Sequence, residues 1–286
     1  MRSSVRSTSA TTSEAATKEQ VRGDARMLLL LTPLSVTRKV TLGVLVWVIF
    51  LGIWLYVSMF AGVPAILLPP PQAVARAASH ISLNEGFLWD VLASLDRIFV
   101  SFFLTSIVGV PLGIFMGASK SLEAFLNPFV SAWRYLPAAA FVPLLLMWLG
   151  TGEAPKVALL ILGVIFFQIT IVMDMTKAMP RPLIETGLTL GANRWQVLSR
   201  IILPWLLPNI IVALRQTIAI GWTYLVIAEI IASTDGIGAV MMRSQRFMHT
   251  DNILVGIVAI GILGLLTDFT FQWLHRVLFP YARDRS

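Results

Sequence analysis

The chain has 286 residues, of which 57% are hydrophobic and 13% are charged, and its mean hydropathy is +0.80. A water-soluble domain of this composition would have to expose too much apolar surface. The absence of cysteine excludes disulfides and Cys-based metal or redox sites, and the net charge of +7 does not indicate nucleic acid binding, because the basic residues lie mostly between apolar runs.

The beginning of the chain differs from the rest in composition. Residues 1–26 are rich in Ser, Thr and Arg and poor in large apolar side chains, so they cannot bury enough surface to fold. A cleavable signal peptide is not expected, because the first long apolar run starts near Val40 and exceeds a typical signal core. We expect a disordered cytoplasmic tail over residues 1–37 and a transmembrane domain over residues 38–286.

Six segments are apolar and long enough to cross a bilayer, which needs about 20 residues per helix. Three of them have an uncharged apolar core, and the other three carry Arg134, Arg215 with Glu229, or Asp268. The predicted spans cover approximately residues 40–60, 91–117, 124–149, 156–174, 205–231 and 252–275. The sequence therefore predicts an all-α integral membrane protein.

The basic residues predict the orientation of these spans. If both termini are cytoplasmic, fifteen Lys and Arg residues lie on the cytoplasmic side and four lie on the outer side. Cytoplasmic loops carry an excess of Lys and Arg, so this bias favours cytoplasmic termini.

Two segments are predicted to lie on the outer membrane face. A proline run ending at Pro71 stops the first span, and residues 73–81 can form a short surface helix. In the last outer loop, Gly236 and Gly238 form a turn that leads into a short amphipathic helix over residues 239–247. Such a segment could gate a pathway, so these two glycines are the predicted outer gate.

The largest cytoplasmic loop lies between the fourth and fifth spans, at residues 176–204, and we call it the helical loop. Residues 183–190 have helical spacing, Gly191 ends that helix, and Asn193 can cap a second helix that runs to Pro204. The pattern predicts two short helices joined at a glycine on the membrane surface.

The exposed side of the helical loop would combine polar residues such as Glu185 and Thr189 with apolar ones such as Leu183 and Trp195. This mixture is typical of a docking surface. A partner in the cytosol is therefore expected.

The helical loop also matches a known motif. It contains Glu185-Thr186-Gly187, three residues, Gly191, nine residues, and Ile201-Ile202-Leu203-Pro204. This resembles the EAA loop of bacterial ABC importer permeases, whose pattern is E-A-A, three residues, G, nine residues, I-x-L-P. Thr186-Gly187 departs from the Ala-Ala of the pattern, and since glycine costs about 1 kcal/mol relative to alanine in a helix, we expect a loosened first helix.

The resemblance extends over most of the chain from about Leu68 and is nearest to permeases of nitrate, bicarbonate, taurine and alkanesulfonate importers. Its supporting stretches are Ser94-Leu95-Asp96-Arg97, Pro111-Leu112-Gly113, Leu136-Pro137, residues 143–150, Ala228-Glu229 and Gly236-Ile237-Gly238. It implies the type I ABC importer permease fold, with six transmembrane helices in the bacterial cytoplasmic (inner) membrane.

The resemblance also implies partners. In this family the permease is a dimer, two cytoplasmic ATPase subunits grip the EAA loops, and an extracytoplasmic binding protein delivers a small polar solute or anion. ATP and Mg²⁺ would then be bound by the partner subunits, and this chain, surrounded by membrane lipid, would hold no cofactor. The residues expected to couple to the ATPase are Glu185, Thr186, Gly187, Gly191, Ala192, Asn193, Arg194, Ile201, Leu203 and Pro204.

Polar side chains within the spans are candidates for the transport pathway, because an ionisable group costs at least about 2.5–3.5 kcal/mol in a bilayer and so faces protein or water. These candidates are Arg134, Gln168, Arg215, Gln216, Trp222, Tyr224 and Glu229. Each has a structural alternative: Arg134 could snorkel to the inner surface, and Arg215 could form a structural pair. For Glu229, bracing of the Gly236 loop is favoured over substrate contact.

Other functions are less favoured by the sequence. His80, His249 and His275 are scattered and predict no metal site, and we find no Walker-type phosphate loop or catalytic triad, so the chain is not expected to be an enzyme. A secondary transporter or channel driven by an ion gradient would also suit six spans with buried charges. Such a carrier has no reason to maintain the helical loop at this spacing.

Overall fold

The computed structural model describes residues 35–281, and the regular elements in that range are all helices. The chain divides into two compact units, Met1–Ala61 and Gly62–Ser286. The first unit contributes α1 (Val36–Phe60) to the described part. The second contributes α2 (Pro71–Asn84), α3 (Phe87–Ala118), α4 (Lys120–Tyr135), α5 (Val142–Leu149), α6 (Glu153–Lys177), α7 (Arg181–Thr189), α8 (Arg194–Val197), α9 (Leu203–Ala232), α10 (Ile237–Arg246) and α11 (Thr250–Leu278).

Helix α1 carries no charged residue after Lys39, and it begins where the chain supplies a cap. The Ser35 hydroxyl accepts a hydrogen bond from the Arg38 backbone N–H at 3.4 Å, which satisfies one free donor of the first turn. The helix therefore begins at Val36, inside the segment predicted to be a disordered tail. Residues 1–34 of that predicted tail lie outside the described residues.

Five helical segments of the described chain are long and apolar enough to cross a membrane, and a bent pair makes a sixth. They are α1, α3, the α4–α5 pair, α6, α9 with its preceding turn, and α11, in the order of the six predicted spans. The predicted short helices on the outer side correspond to α2 and α10.

The third span is bent, where the sequence predicted one helix over residues 124–149. α4 and the segment from Ala138 to Leu149, which starts with a 3₁₀ turn, differ in direction by 84°. The bend falls at Leu136, whose ψ of 128° is extended. Pro137 explains it, because a proline ring clashes with a helical conformation of the residue before it.

The fifth span continues through Pro204, where the sequence predicted a boundary. α8, a π turn (Leu198–Ile202) and α9 form one unbroken helix. In the π turn the Leu203 backbone N–H donates to the Leu198 carbonyl, one residue further back than in an α-helix. Because a proline ring clashes with the carbonyl four residues earlier in an α-helix, the wider turn accommodates Pro204.

The core of the second unit forms where α6 packs along α3 and α9. Glycines of α3 allow the close approach: a Cβ atom at Gly113 would lie 2.8 Å from the Ile169 carbonyl oxygen and 2.8 Å from Val172 Cβ. Ile169 belongs to a buried apolar cluster with Met116 of α3 and Met173 of α6. The α3–α6 contact is therefore made by backbones as much as by side chains.

Replacing Gly113 with isoleucine should separate α3 from α6, because a backbone carbonyl cannot move aside as a side chain can. We expect a loss of about 1–3 kcal/mol or more in folding free energy. The check is the melting temperature of the purified protein in detergent, with Gly264→Ile as the control, since nothing lies within 4 Å of a Cβ at Gly264. Equal melting temperatures for the two variants would contradict this account of the core.

Candidate functional sites: the helical loop and a buried charge cluster

The helical loop consists of two short helices held by a glycine turn and a capping box. α7 ends at Thr189, and Gly191 has a φ of 83°, in the left-handed region that favours glycine. The Asn193 side chain accepts from the Gln196 N–H at 2.9 Å, and the Gln196 side chain accepts from the Asn193 N–H at 2.8 Å. α8 starts directly afterwards, which gives the helix–glycine–helix arrangement that the sequence predicts.

Gly187 lies buried between the two arms of the helical loop. A Cβ atom there would meet Ile201 Cδ1 and lie 4.0 Å from Val197 Cγ2. α7 nevertheless runs unbroken from Arg181 to Thr189. The expected loosening at Thr186-Gly187 is therefore not observed, and the missing side chain lets the two arms pack closely.

The two faces of the helical loop differ in chemistry. The inner face joins Ile184, Ala192, Val197 and Ile201 to an apolar cluster that includes Leu206 of α9. The outer face exposes Leu183, Glu185, Thr186, Leu188, Leu190, Asn193, Arg194 and Trp195. Among the predicted coupling residues, Gly187, Ala192 and Ile201 therefore support the loop from inside, and the exposed ones form a mixed surface of the kind found at protein interfaces.

At the end of α6 and α9 that lies away from the helical loop, Arg97 of α3 is buried among three carboxylates. Its guanidinium donates to Glu153 at 2.6 and 2.9 Å, to Glu229 at 2.8 Å, and to Asp235. These acids belong to α6, α9 and the loop before α10, so a single side chain joins three segments to α3. We call the following residues the charge cluster: Asp90, Ser94, Arg97, Glu153, Lys156, Glu229 and Asp235.

The charge cluster also binds the start of α10. The three successive backbone N–H groups from Gly236 to Gly238 donate to Asp90, Ser94 and Glu229 at 2.8, 3.0 and 2.8 Å. Gly236 has a φ of 100°, and a Cβ atom there would lie 2.5 Å from the Glu229 carboxyl carbon. The two glycines of the predicted outer gate therefore lie directly on the Glu229 side chain.

Asp235 is the part of the charge cluster that lies outside the membrane-spanning helices. Burial raises the pKa of its carboxyl, but the hydrogen bond and charge of Arg97, with help from Ser233 and Lys156, hold the pKa below its ordinary value. Asp235 is therefore ionised at neutral pH and can pair with Arg97.

Among the residues of the charge cluster, Glu229 was predicted to brace the Gly236 loop, whereas no role was predicted for its partners Ser94 and Arg97. The signal was present, because Asp90, Ser94 and Arg97 are spaced four and three residues apart and so share one face of α3. Polar residues on one face of an apolar helix indicate a buried polar contact.

The pathway candidates do not converge on one point. Gln168 and Trp222 are buried, and they donate to a serine of α3 at 3.0 Å and to Thr267 of α11 at 3.2 Å. The Tyr224 ring fills the space beside Gly163, where a Cβ atom would lie 2.5 Å from it. In this structure these side chains make contacts between helices.

The remaining pathway candidates are partly exposed. Arg134 lies at the end of α4, with its guanidinium carbon 5.6 Å from the Tyr135 ring centroid, and it makes no salt bridge within residues 35–281. Arg215 is paired with Asp268 of α11, which is the structural alternative foreseen for it. Gln216 is exposed. No three His, Asp or Glu side chains of the described chain are grouped so that they could hold a metal ion.

Comparison with known proteins identifies the family. Residues 109–284 match the binding-protein-dependent transport system inner membrane component. The chain belongs to this family. The matched range includes the helical loop, α9 and α10 of this permease, whereas Asp90, Ser94 and Arg97 of the charge cluster precede it.

Relatives that match two thirds or more of the permease support the same assignment. The taurine transport system permease protein TauC of Escherichia coli is 35% identical over 254 residues, which cover 87% of this chain and 92% of the relative. A putative aliphatic sulfonates transport permease of Bacillus subtilis is 29% identical, covering 85% and 88%. The bicarbonate transport system permease protein CmpB of Synechococcus elongatus is 26% identical, covering 68% and 70%. The permease is thus a transport component of the inner membrane.

Solved structures share its fold. A chain of the MetNI methionine ABC transporter in an inward-facing conformation superposes with a TM-score of 0.60 at 22% identity, over 67% of this permease and 95% of that chain. A bacterial ABC transporter that imports alginate gives 0.54 at 14% identity, over 91% and 98%. These likenesses place the permease in the ABC importer fold.

Replacing Arg97 with methionine should destabilise the permease strongly, because it leaves Glu229 buried without its counter-charge. Breaking a buried pair in this way costs about 3–5 kcal/mol. The matched control is Lys177→Met, which removes a partly exposed pair with Glu123 at 2.6 Å and should cost at most about 1 kcal/mol. Thermal unfolding of the purified variants measures the difference, and similar shifts for both would show that the charge cluster is not a central support.

Proposed function

We propose that this permease, paired with a second copy of itself, carries a small anion of the sulfonate, nitrate or bicarbonate type. Membership in the family gives the class, a permease that works with ATPase and binding-protein partners. In the proposal, two ATPase subunits dock on the cytoplasmic side and bind the ATP and Mg²⁺, and the binding protein delivers the anion to the outer side.

The observation that carries the substrate class is the 35% identity to a taurine permease along 87% of the chain. Relatives named for aliphatic sulfonates and for bicarbonate lie at 29% and 26% identity. The solutes in these names are small and each carries an anionic group. An anion of this size is therefore the substrate that the relatives favour.

The helical loop is the proposed docking site for the ATPase. Its outer face exposes Glu185 together with Leu188, Leu190 and Trp195, while its inner face is anchored in the membrane helices. Exposed leucines and a tryptophan beside charged and polar residues give the mixture of apolar and polar groups that is found at protein interfaces. The excess of basic residues on the same side favours a cytoplasmic position.

The proposed coupling runs along the fifth span. α8, the π turn and α9 form one continuous helix, which has the helical loop at one end and Glu229 near the other. A displacement of the loop by the ATPase would therefore reach Glu229 and, through its hydrogen bond at 2.8 Å, the Gly238 backbone of the outer gate. Alternating access then follows as a rigid-body change between two states.

Replacing Gly191 with valine, or Glu185 with lysine, should uncouple the ATPase while leaving membrane insertion intact. Valine cannot adopt the left-handed backbone of Gly191 without strain of about 1–3 kcal/mol, and lysine reverses the charge of the docking face. Gly62→Val is the matched control, because Gly62 also has a positive φ, of 71°, and open space around it.

The measurement is ATP hydrolysis of the reconstituted complex, together with co-purification of the ATPase subunits. Loss of both for the two loop variants, with the control near the wild-type rate, is the expected result. Normal coupling in the loop variants would refute the docking assignment.

The substrate proposal is tested by uptake into proteoliposomes that contain the permease, its ATPase and its binding protein. Taurine, ethanesulfonate, nitrate and bicarbonate are offered in turn, with an uncharged sugar and an amino acid such as methionine as controls. ATP-dependent uptake of at least one of the anions, and of neither control, is expected. Uptake of a control solute and of none of the anions would overturn the substrate class.

A further inference from the structure

A row of polar side chains crosses the otherwise apolar contact between α9 and α11. Arg215 donates to both carboxylate oxygens of Asp268, at 3.0 Å from Nη2 to Oδ2. Asp268 also accepts from Gln272 Nε2 at 2.7 Å, and Gln272 Oε1 accepts from Arg276 Nη2 at 3.3 Å. These four side chains form a continuous hydrogen-bonded chain, which we call the polar track.

The polar track runs toward the end of the permease that carries the helical loop. Asp268, Gln272 and Arg276 are four residues apart, so they share one face of α11 and extend over about 12 Å. Arg276 is exposed and lies in the last turn of α11, while Arg215 lies near the middle of α9. The track therefore leads from mid-span to the membrane surface.

Toward the end of the permease that lies away from the helical loop, the side chains between α9 and α11 are buried. Trp222 Nε1 donates to Thr267 Oγ1 at 3.2 Å, and these side chains are only 4% and 8% exposed. Trp222 belongs to a buried apolar cluster that continues with Leu225 and Ala228. The polar groups of the contact are thus concentrated in the half that lies nearer the helical loop, which we call the loop-end half.

The pair at the head of the polar track is not fully covered. The side chains of Arg215 and Asp268 are 39% and 34% exposed, and the adjacent Gln216 is exposed as well. Charged side chains at this depth face protein or a water-filled cavity, because contact with lipid is costly. Complete burial by another protein surface would also be costly without further partners. Water is therefore the neighbour that suits this pair.

We infer that the polar track is an anion-binding step in the loop-end half of the transport pathway, where the transported anion competes with Asp268 for Arg215 and leaves past Arg276. This inference rests on the proposed function and adds the residues that hold the anion. The track carries two guanidinium groups and one carboxylate, so it has an excess positive charge.

The chemistry of the pair suits both binding and release. A guanidinium presents a planar fork of donors that fits the oxygen atoms of a carboxylate and of other oxyanions, a sulfonate among them. Asp268 occupies Arg215 when the pathway is empty, so an arriving anion replaces one partner by another. This exchange keeps the anion bound weakly enough to leave, as passage through a pathway requires.

The test uses the fact that the chain has no cysteine, so that Gln272→Cys introduces the one thiol of the permease. The permease with its ATPase partner is placed in nanodiscs, which open both membrane faces to reagents. It is treated with two methanethiosulfonates of similar size, one bearing a sulfonate and the other a trimethylammonium group. Each labelling rate is divided by the rate at which the same reagent reacts with a free thiol in solution, which gives a normalised rate.

Trp273→Cys is the matched control, because Trp273 is the next residue along α11, about 100° around the helix at nearly the same depth. Its apolar side chain is 62% exposed, and within a membrane span such a side chain faces lipid and not water. Since only a hydrated thiolate reacts, Gln272→Cys should react at least about tenfold faster than Trp273→Cys. At Gln272→Cys the normalised rate of the sulfonate reagent should exceed that of the cationic reagent. Equal rates at the two positions, or a preference for the cationic reagent, would overturn the inference.

Two further variants test whether the arginines cause the preference. Arg276→Gln removes an exposed cation of the track without disturbing the core, and Arg215→Lys keeps the charge but loses the planar fork. The preference for the sulfonate reagent should fall in the first variant and persist in the second, and an unchanged preference in Arg276→Gln would refute the role of the track. The labelling needs no transport, so its failure leaves the proposed substrate class intact, and failure of anion uptake leaves the labelling result intact.

Discussion

The buried guanidinium of Arg97 is the interaction on which the arrangement of the permease depends. A charge with 3% exposure is stable only if opposite charges and hydrogen-bond acceptors surround it, and here they come from α6, α9 and the loop before α10. Removing any one of these segments takes a counter-charge away from a guanidinium that is almost completely buried. The cluster therefore fixes α10 on Glu229, and with it the end of the fifth span that lies away from the helical loop.

The same span connects this fixed point to the helical loop. The loop is anchored from inside by Gly187 packing on Ile201, and it passes through the π turn into α9 without a break. A helix of this kind transmits a displacement along its length, whereas a flexible joint at Pro204 would have absorbed it. The polar track branches from the middle of α9, at Arg215, so a movement of this helix would also change the contact with α11.

Much of the fold could be predicted from sequence, because apolar runs show where helices cross a membrane and Gly191 and Asn193 show where a short helix stops and starts. The bend at Leu136 could not be placed by hydropathy, which reports the apolar character of a segment and not its direction. The partners of Arg97 lie 56, 132 and 138 residues away in the chain, and Asp268 lies 53 residues from Arg215. Such pairings depend on how the helices pack, which local patterns do not contain.

The proposed coupling requires that the helical loop, α9 and α10 move together when the ATPase binds nucleotide. A spin label at Gln245→Cys, on an exposed position of α10, measures the separation of the two α10 helices in the assembled pair. If the proposed coupling holds, this distance changes between the nucleotide-free and the ATP-bound complex of the wild-type background. A distance that stays the same in both states, while the complex hydrolyses ATP, would contradict it.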